Sequence, residues 1–377
     1  MKICILSEYA YHFLADEEKS KYAGGAEMQM ATLAKEFVKR KHVVSFLTFE
    51  NLGKVYEKNN GIMIYNPFDN QGKGYTYLYP QNVYKLFKIL NNIDADVYIQ
   101  RATTPLTGIL ALYAKLRKKI FLYSVSSDEE VSVNMFINGL RDLKKLVYKF
   151  GVKNCDYVIC QTNKQKNLLK QTINKEGIVI KNIYIFPKIK NGNNNSQLKV
   201  LWVGRITKEK RPELFLSLAK KFPNFKFCMI ASKHGPSKTS TKYYNKIKKE
   251  ASKINNLDFH GYVPYNEINK YYVESALLIN TSIVEGFPNT FLEAWGNYKP
   301  VITLDFDPDE IICEHNLGLH SKTFEQMIED VKIMINNDEL RKNMGINSRR
   351  YVEKEHDITK IMNDYECLIK SLVKGGS

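Results

Sequence analysis

Glu285 and Glu293 stand eight positions apart in Glu285-Gly286-Phe287-Pro288-Asn289-Thr290-Phe291-Leu292-Glu293, a stretch that reads as a loop running into a helix. Gly286 and the backbone N–H groups after it can face a phosphate or a sugar at the helix start. Glu293, about two turns further in, can accept two hydrogen bonds from a vicinal diol such as a ribose. The bland alternative is an ordinary helix with surface glutamates. A second set is basic: Val203-Gly204-Arg205-Ile206 closes an apolar run, and Lys208-Glu209-Lys210-Arg211-Pro212 follows it. An arginine fork and a lysine point charge, Arg205 and Lys210, emerging from the C-terminal edge of a strand suit a diphosphate; otherwise they are a solvated loop. The third signal is Ala23-Gly24-Gly25-Ala26-Glu27, just before an amphipathic helix. Paired glycines let a backbone approach a phosphate, though a tight turn explains them equally, and neither GxGxxG nor GxxxxGK[ST] is present. Asp305-Phe306-Asp307 is a D-x-D that could hold a divalent cation on a diphosphate. It comes after the last strand of the series and after both glutamates, so no metal site is expected there.

These residues need elements to hold them. Short runs rich in Ile, Val and Tyr recur at 3–7, 43–49, 62–66, 97–100, 120–125, 157–161 and 183–186, then at 200–204, 225–232, 257–262, 277–281 and 301–304. Amphipathic stretches such as 26–40 and 212–221 separate them. Strands alternating with helices mean βαβ units and mostly parallel sheets. The polar, turn-rich stretch 188–197 reads as a linker. The expected class is therefore α/β, with two doubly wound domains at 1–190 and 191–356. A C-terminal helix at about 357–374 is expected to pack back on the first domain, and a ligand cleft is expected between the two.

With 44% hydrophobic and 25% charged residues, the 377-residue chain has the composition of a globular enzyme. No apolar run approaches the roughly 18 residues that span a bilayer. Met1-Lys2-Ile3-Cys4-Ile5-Leu6 reaches Ser7-Glu8 at once, too short for a secretory signal, so a first buried strand and a cytoplasmic protein are expected. Six scattered cysteines without CxxC spacing read as buried free thiols rather than a disulfide framework or zinc site. Gly375-Gly376-Ser377 reads as an added tail.

The net charge is +16, and it is uneven: residues 1–190 hold 29 basic against 17 acidic residues, a net +12, and residues 191–377 hold 27 against 23. An anionic partner for the first half follows, whether a phosphorylated substrate or a membrane surface. No nucleic-acid-binding pattern is visible, so nucleic acid is not expected. Leu140-Arg141-Asp142-Leu143-Lys144-Lys145-Leu146-Val147-Tyr148-Lys149-Phe150 reads as a basic amphipathic helix with Leu140, Leu143, Val147 and Phe150 on one face. That face is either core, with solvated lysines around it, or docks on an anionic leaflet.

The combination resembles glycosyltransferase family 4, retaining enzymes of the GT-B fold (two Rossmann-like domains) that use nucleotide-sugar donors. Glu285 and Glu293 match the family's E-x7-E, and Gly204, Arg205 and Lys210 match its G-R-x4-K. Phe259-His260-Gly261-Tyr262-Val263 matches its F-x-G-x-V, and Gly24, Gly25, Ala26 and Glu27 match its G-G-A-E. The four elements occur in family order. The resemblance implies that Arg205 and Lys210 hold the donor diphosphate and that Glu293 binds the ribose. Glu285 with the backbone of Gly286, Phe287, Pro288 and Asn289 would hold the transferred sugar, and Gly261, Tyr262 and Val263 would recognise the base. Gly24 and Gly25 join the donor-binding set. Where many relatives carry a histidine, this chain reads Ser126-Ser127-Asp128-Glu129-Glu130, and Asp128 is the nearest substitute. The implied co-substrate is a UDP- or GDP-linked sugar, with no cofactor and no metal, and the implied acceptor is a glycan or lipid-linked hydroxyl in cell-surface polysaccharide assembly. A non-catalytic nucleotide-sugar binder and a GT-B-like epimerase are the competing readings.

Overall fold

Ile3-Cys4-Ile5-Leu6 sends its side chains alternately into two cores: Cys4 and Leu6 into one cluster, Ile3 and Ile5 into another. A run that is apolar at every position and buried on both faces is the mark of an inner parallel strand covered by helices on each side. A computed structural model describes residues 1–15, 24–49, 56–67, 74–136, 142–187, 199–233 and 237–375. The linker expected at 188–197 lies outside the described residues.

The chain divides into two units, with Ile183 ending one stretch and Tyr184 opening the next. In the first unit, the strands are β1 (Lys2–Leu6), β2 (Val43–Leu47), β3 (Tyr56–Asn59), β4 (Ile62–Tyr65), β5 (Val97–Arg101), β6 (Ile120–Ser124), β7 (Tyr157–Cys160) and β8 (Gly177–Val179). They form one sheet in the order β3-β4-β2-β1-β5-β6-β7-β8. All neighbours are parallel except β3 and β4. That antiparallel pair turns at Asn60 (φ 47°) and Gly61 (φ 82°), an Asn-Gly hairpin signal that the search for apolar runs passes over. The helix Ile358–Gly375 belongs to this unit: Ile361, Met362, Tyr365, Leu368 and Ile369 enter the core shared with Ile3 and Ile5.

The run 183–186 is not the strand it was expected to be. Ile183 has both backbone groups taken by one side chain: its N–H donates to Gln29 Oε1 and its carbonyl accepts from Gln29 Nε2, each at 2.8 Å. Those two bonds replace a ladder, and the chain then passes from the first unit to the second, where Tyr184 is buried.

The second unit holds β9 (Lys199–Ile206), β10 (Lys226–Lys233), β11 (Leu257–His260), β12 (Ser275–Asn280), β13 (Val301–Thr303) and β14 (Gly318–His320). All are parallel, in the order β11-β10-β9-β12-β13-β14. Val200, Trp202 and Leu277 enter the core on one face of this sheet, and Leu201 and Leu278 the core on the other.

The basic helix corrects its expected orientation. It runs Leu143–Asn154, begun by Asp142, whose side chain accepts from the Lys144 N–H at 2.9 Å; Leu140 and Arg141 lie outside the described residues. Tyr148, Gly151 and Val152 face the core, while Leu143, Leu146 and Phe150 are exposed. All six cysteines are free, but Cys313 and Cys367 are exposed rather than buried.

Candidate active site

In the second sheet β9 and β12 are adjacent, and the strands on their far sides run away from each other, β10 beyond β9 and β13 beyond β12. Such a reversal of strand order opens a crevice at the carboxyl ends of the two strands. The exposed Arg205 sits near the end of β9, Lys210 in the loop after it, and Glu285 in the loop after β12. Lys210 Nζ pairs with Glu285 Oε1, although 75 positions separate them in the chain. Arg205 has no ion pair and no side-chain hydrogen bond among the described residues.

Thr281 organises this edge. It is fully buried, accepts from Trp202 Nε1 at 3.1 Å and donates to the Lys210 carbonyl at 2.6 Å. Its own carbonyl accepts from Arg211 Nε at 2.8 Å, and Arg211 pairs with Asp305. Arg211 adopts a left-handed backbone (φ 45°), a conformation that costs a non-glycine residue about 1–2 kcal/mol. The two contacts of its side chain hold it there. No sequence pattern marked Thr281, Trp202 or Arg211; their roles depend on three strand ends meeting.

Glu293 lies on the helix Asn289–Gly296, which no side chain caps at its N-terminus. The Tyr272 hydroxyl donates to Glu293 Oε2 at 2.5 Å. Burial is the larger effect and pushes this carboxyl up to about 7, against the pull of the Tyr272 bond. Burial and the nearby Glu293 charge push the hydroxyls of Tyr184, Tyr265 and Tyr272 upward, so all three stay neutral around it. Gly286, Phe287 and Pro288 are buried and Asn289 is half-buried. The Phe287 ring packs against Trp295 and His356, with centroids 6.3 and 4.8 Å away, so the loop between the two glutamates is anchored from inside. Gly261, Tyr262 and Val263 follow β11, half-buried, at the same sheet edge but two strands away from β9.

In the first unit the strand order reverses between β1 and β5. Gly24 starts the helix Gly25–Lys39 with extended backbone, and a Cβ there would collide with the Glu27 carboxylate. Glu8, which follows β1, accepts from the Tyr77 hydroxyl at 3.3 Å. Burial pushes its carboxyl up, bonds from Thr104 and Tyr77 pull it down, and the Glu27 charge adds a smaller upward push. Its one sequence signal was its place as the first charged residue after the first strand. Asp128, after β6, is 5% exposed and its carboxylate is held by Gln165 Nε2 at 3.1 Å and Lys164 Nζ at 2.9 Å. Neighbouring Glu130 fixes the same turn, accepting from the Tyr123 hydroxyl and the Ser126 N–H, both at 2.8 Å, and from the Ser126 hydroxyl. Burial pushes its carboxyl up despite those bonds.

The D-x-D aspartates are both engaged. Asp305 pairs with Arg211, and Asp307 accepts the N–H groups of Ile312 and Cys313 at 2.9 and 3.2 Å. Asp307 also offers one donor atom alongside Cys313 and His320, all within 4.8 Å of one another, the one group of three such side chains among the described residues.

Residues 185–351 match the family model described as glycosyl transferases group 1, and residues 23–182 match glycosyltransferase family 4. An uncharacterised glycosyltransferase of Methanocaldococcus jannaschii is 24% identical over 78% of this chain and 84% of its own length. One from Haemophilus influenzae is 24% identical over 92% and 96%. The amylovoran biosynthesis glycosyltransferase of Erwinia amylovora is 26% identical over 63% of this chain and 68% of its own. Among solved structures, sucrose-phosphate synthase of Thermosynechococcus elongatus superposes with a TM-score of 0.79 at 15% identity, covering 99% of each chain. Anabaena HepE in complex with UDP-glucose gives 0.76 at 15% identity, covering 98% of this chain and 100% of its own.

Proposed function

Because the chain belongs to the family-4-like glycosyltransferases of the GT-B fold, we propose that it moves a sugar from a UDP- or GDP-linked donor to a hydroxyl of a glycan or lipid-linked acceptor, with retention at the anomeric carbon. The Lys210–Glu285 pair at the reversal of strand order, with Arg205 near the end of β9 and without an ion pair among the described residues, carries this reading. A diphosphate entering there competes with Glu285 for Lys210. The exchange gives the phosphates a cation and leaves the carboxylate to accept hydrogen bonds from the hydroxyls of the transferred sugar. Glu293 takes the ribose diol, and the backbone of Gly261 to Val263 takes the base.

As the glycosidic C–O bond to the diphosphate breaks, negative charge grows on the leaving oxygen. Arg205 and Lys210 stabilise that charge, and each such preorganised donor is worth about 10²–10³ in turnover. The leaving diphosphate then accepts the proton of the incoming hydroxyl on the face it departs from, so the new bond forms on that same face. Neither a second carboxylate nucleophile nor a metal is required by this scheme. The relative that is a glycosyltransferase of amylovoran biosynthesis and the neighbour in complex with UDP-glucose support a role in polysaccharide assembly and a uridine donor.

The test is a panel of UDP- and GDP-sugars screened by thermal shift, since a bound donor raises stability by mass action. Nucleoside diphosphate release with and without candidate acceptors follows, and the anomeric configuration of the product is read by NMR. Acceptor-dependent release with a retained anomer is the expected result. Donor binding without release would favour the binding-protein reading, and an altered sugar without acceptor would favour an epimerase.

A further inference from the structure

The helices Leu106–Arg117 and Leu143–Asn154 lie on the same face of the first sheet. Buried residues of both, Leu110 and Tyr113 from one, Tyr148 and Val152 from the other, enter a single core. They touch at glycines: a Cβ on Gly108 would strike the Val147 carbonyl, and one on Gly151 the backbone of Thr107 and Gly108. The outer side of this pair is apolar where a solvated helix would be polar. Leu143, Leu146 and Phe150, spaced i, i+3, i+7, are 54, 40 and 42% exposed, and on the neighbouring helix Leu112 and Leu116 are 42 and 64% exposed. The two helices carry six Lys or Arg and no Asp or Glu.

Lys145, Lys149 and Lys153 recur every four residues, which places them in a row along one flank of the Leu146 and Phe150 stripe. They have no ion pair among the described residues, nor do Lys115 and Arg117. Lys149 is 7% exposed and its Nζ has no hydrogen-bond partner among the described residues.

We propose that this two-helix face docks on the anionic leaflet of a membrane, with Leu112, Leu116, Leu143, Leu146 and Phe150 entering the headgroup boundary and Lys145 and Lys153 meeting lipid phosphates. Charge complementarity selects lipid over a protein groove. An apolar stripe bordered by cations that lack ion-pair partners among the described residues fits a surface offering hydrocarbon beneath a layer of negative charge. Among the described residues no helix is long and apolar enough to cross a membrane. The claim is independent of the transfer reading, because docking is measured without donor or acceptor.

The experiment is sedimentation of the full chain with phosphatidylglycerol-containing vesicles and with pure phosphatidylcholine vesicles, at low and high salt. The protein should pellet with anionic vesicles at low salt and be released by high salt. Each of Lys145→Gln and Lys153→Gln should weaken partitioning about fivefold. Leu116→Gln and Phe150→Gln, at exposed positions that leave the core untouched, should each weaken it about tenfold or more. Circular dichroism and thermal melting confirm that the variants fold. Wild-type protein that stays in the supernatant, or variants that pellet as well as wild type, would overturn the proposal. So would a dimer in sedimentation velocity that Phe150→Gln dissolves, because the face would then belong to a second copy.

Discussion

Donor affinity should depend on pH through Glu293. Its carboxyl is pushed up to about 7 by burial, while a vicinal diol is best held by the carboxylate. At about pH 8 nearly every molecule is ready to bind; at about pH 6 only about one in eleven is. The apparent Kd for a nucleotide sugar should therefore rise about tenfold from about pH 8 to about pH 6, equivalent to ~1.4 kcal/mol. A carboxyl in its ordinary range would change affinity by under roughly 5% over the same interval. Tyr184, Tyr265 and Tyr272 contribute nothing to this slope because their hydroxyls are shifted upward, away from neutrality. Isothermal titration with an intact nucleotide sugar avoids the free phosphate of a nucleoside diphosphate, which titrates nearby. Glu293→Gln keeps an acceptor for the Tyr272 hydroxyl but cannot titrate, so it should bind about 10- to 100-fold more weakly and without the slope. A flat wild-type profile, or the same slope in the variant, would refute the assignment of Glu293 to the donor. The same shift bears on stability. The unfolded carboxyl ionises near 4.5 and the folded one at about 7, so this group's contribution is full at low pH and is lost as pH rises between those values.

Arg205→Ala should lower turnover by roughly 10²-fold or more, because the growing charge on the diphosphate loses a preorganised partner; near-wild-type turnover in steady-state kinetics would remove the proposed site. Activity should survive EDTA, since Asp305 is held by Arg211 and Asp307 by backbone N–H groups; loss with EDTA and recovery with Mn²⁺ would redirect attention to those two aspartates. Asp128→Asn should leave donor affinity unchanged while lowering transfer, because the proposed donor contacts at Arg205, Lys210 and Glu293 belong to the other unit. Equal losses in binding and transfer would assign Asp128, held by Gln165 and Lys164, a structural role only.

Much of the architecture was legible because a buried parallel strand has a local signature. Runs such as Val200-Leu201-Trp202-Val203 are apolar at every position, and helix-period stretches lie between them. The motifs at Arg205, Lys210, Glu285 and Glu293 were legible for a related reason: each stands where an apolar run stops, and sheets of this kind present ligand-binding residues at strand ends. Two pieces departed from that rule. β4 was expected at 62–66, but its partner β3 holds no apolar run and is announced only by Asn60 and Gly61, while 183–186 looks like a strand yet has its backbone bonds met by Gln29.

Residue type and spacing by themselves determined which groups are present at the strand ends; contacts between distant segments decided what those groups are. Lys210 meets Glu285 across 75 positions, and Arg211 meets Asp305 across 94, because β9 lies next to β12 in the sheet, with β13 beyond it, although β10 and β11 come between β9 and β12 in the chain. No spacing rule yields a carboxyl at about 7, since the shift in Glu293 comes from its burial, and the residues around it include Tyr184 and, far along the chain from it, Tyr272. The face of the Leu143–Asn154 helix followed the same logic. Periodicity showed an apolar stripe at Leu143, Val147 and Phe150, but which side of a helix is buried is set by its neighbours, and here Gly108 and Gly151 lock a contact that turns Leu143 and Phe150 outward.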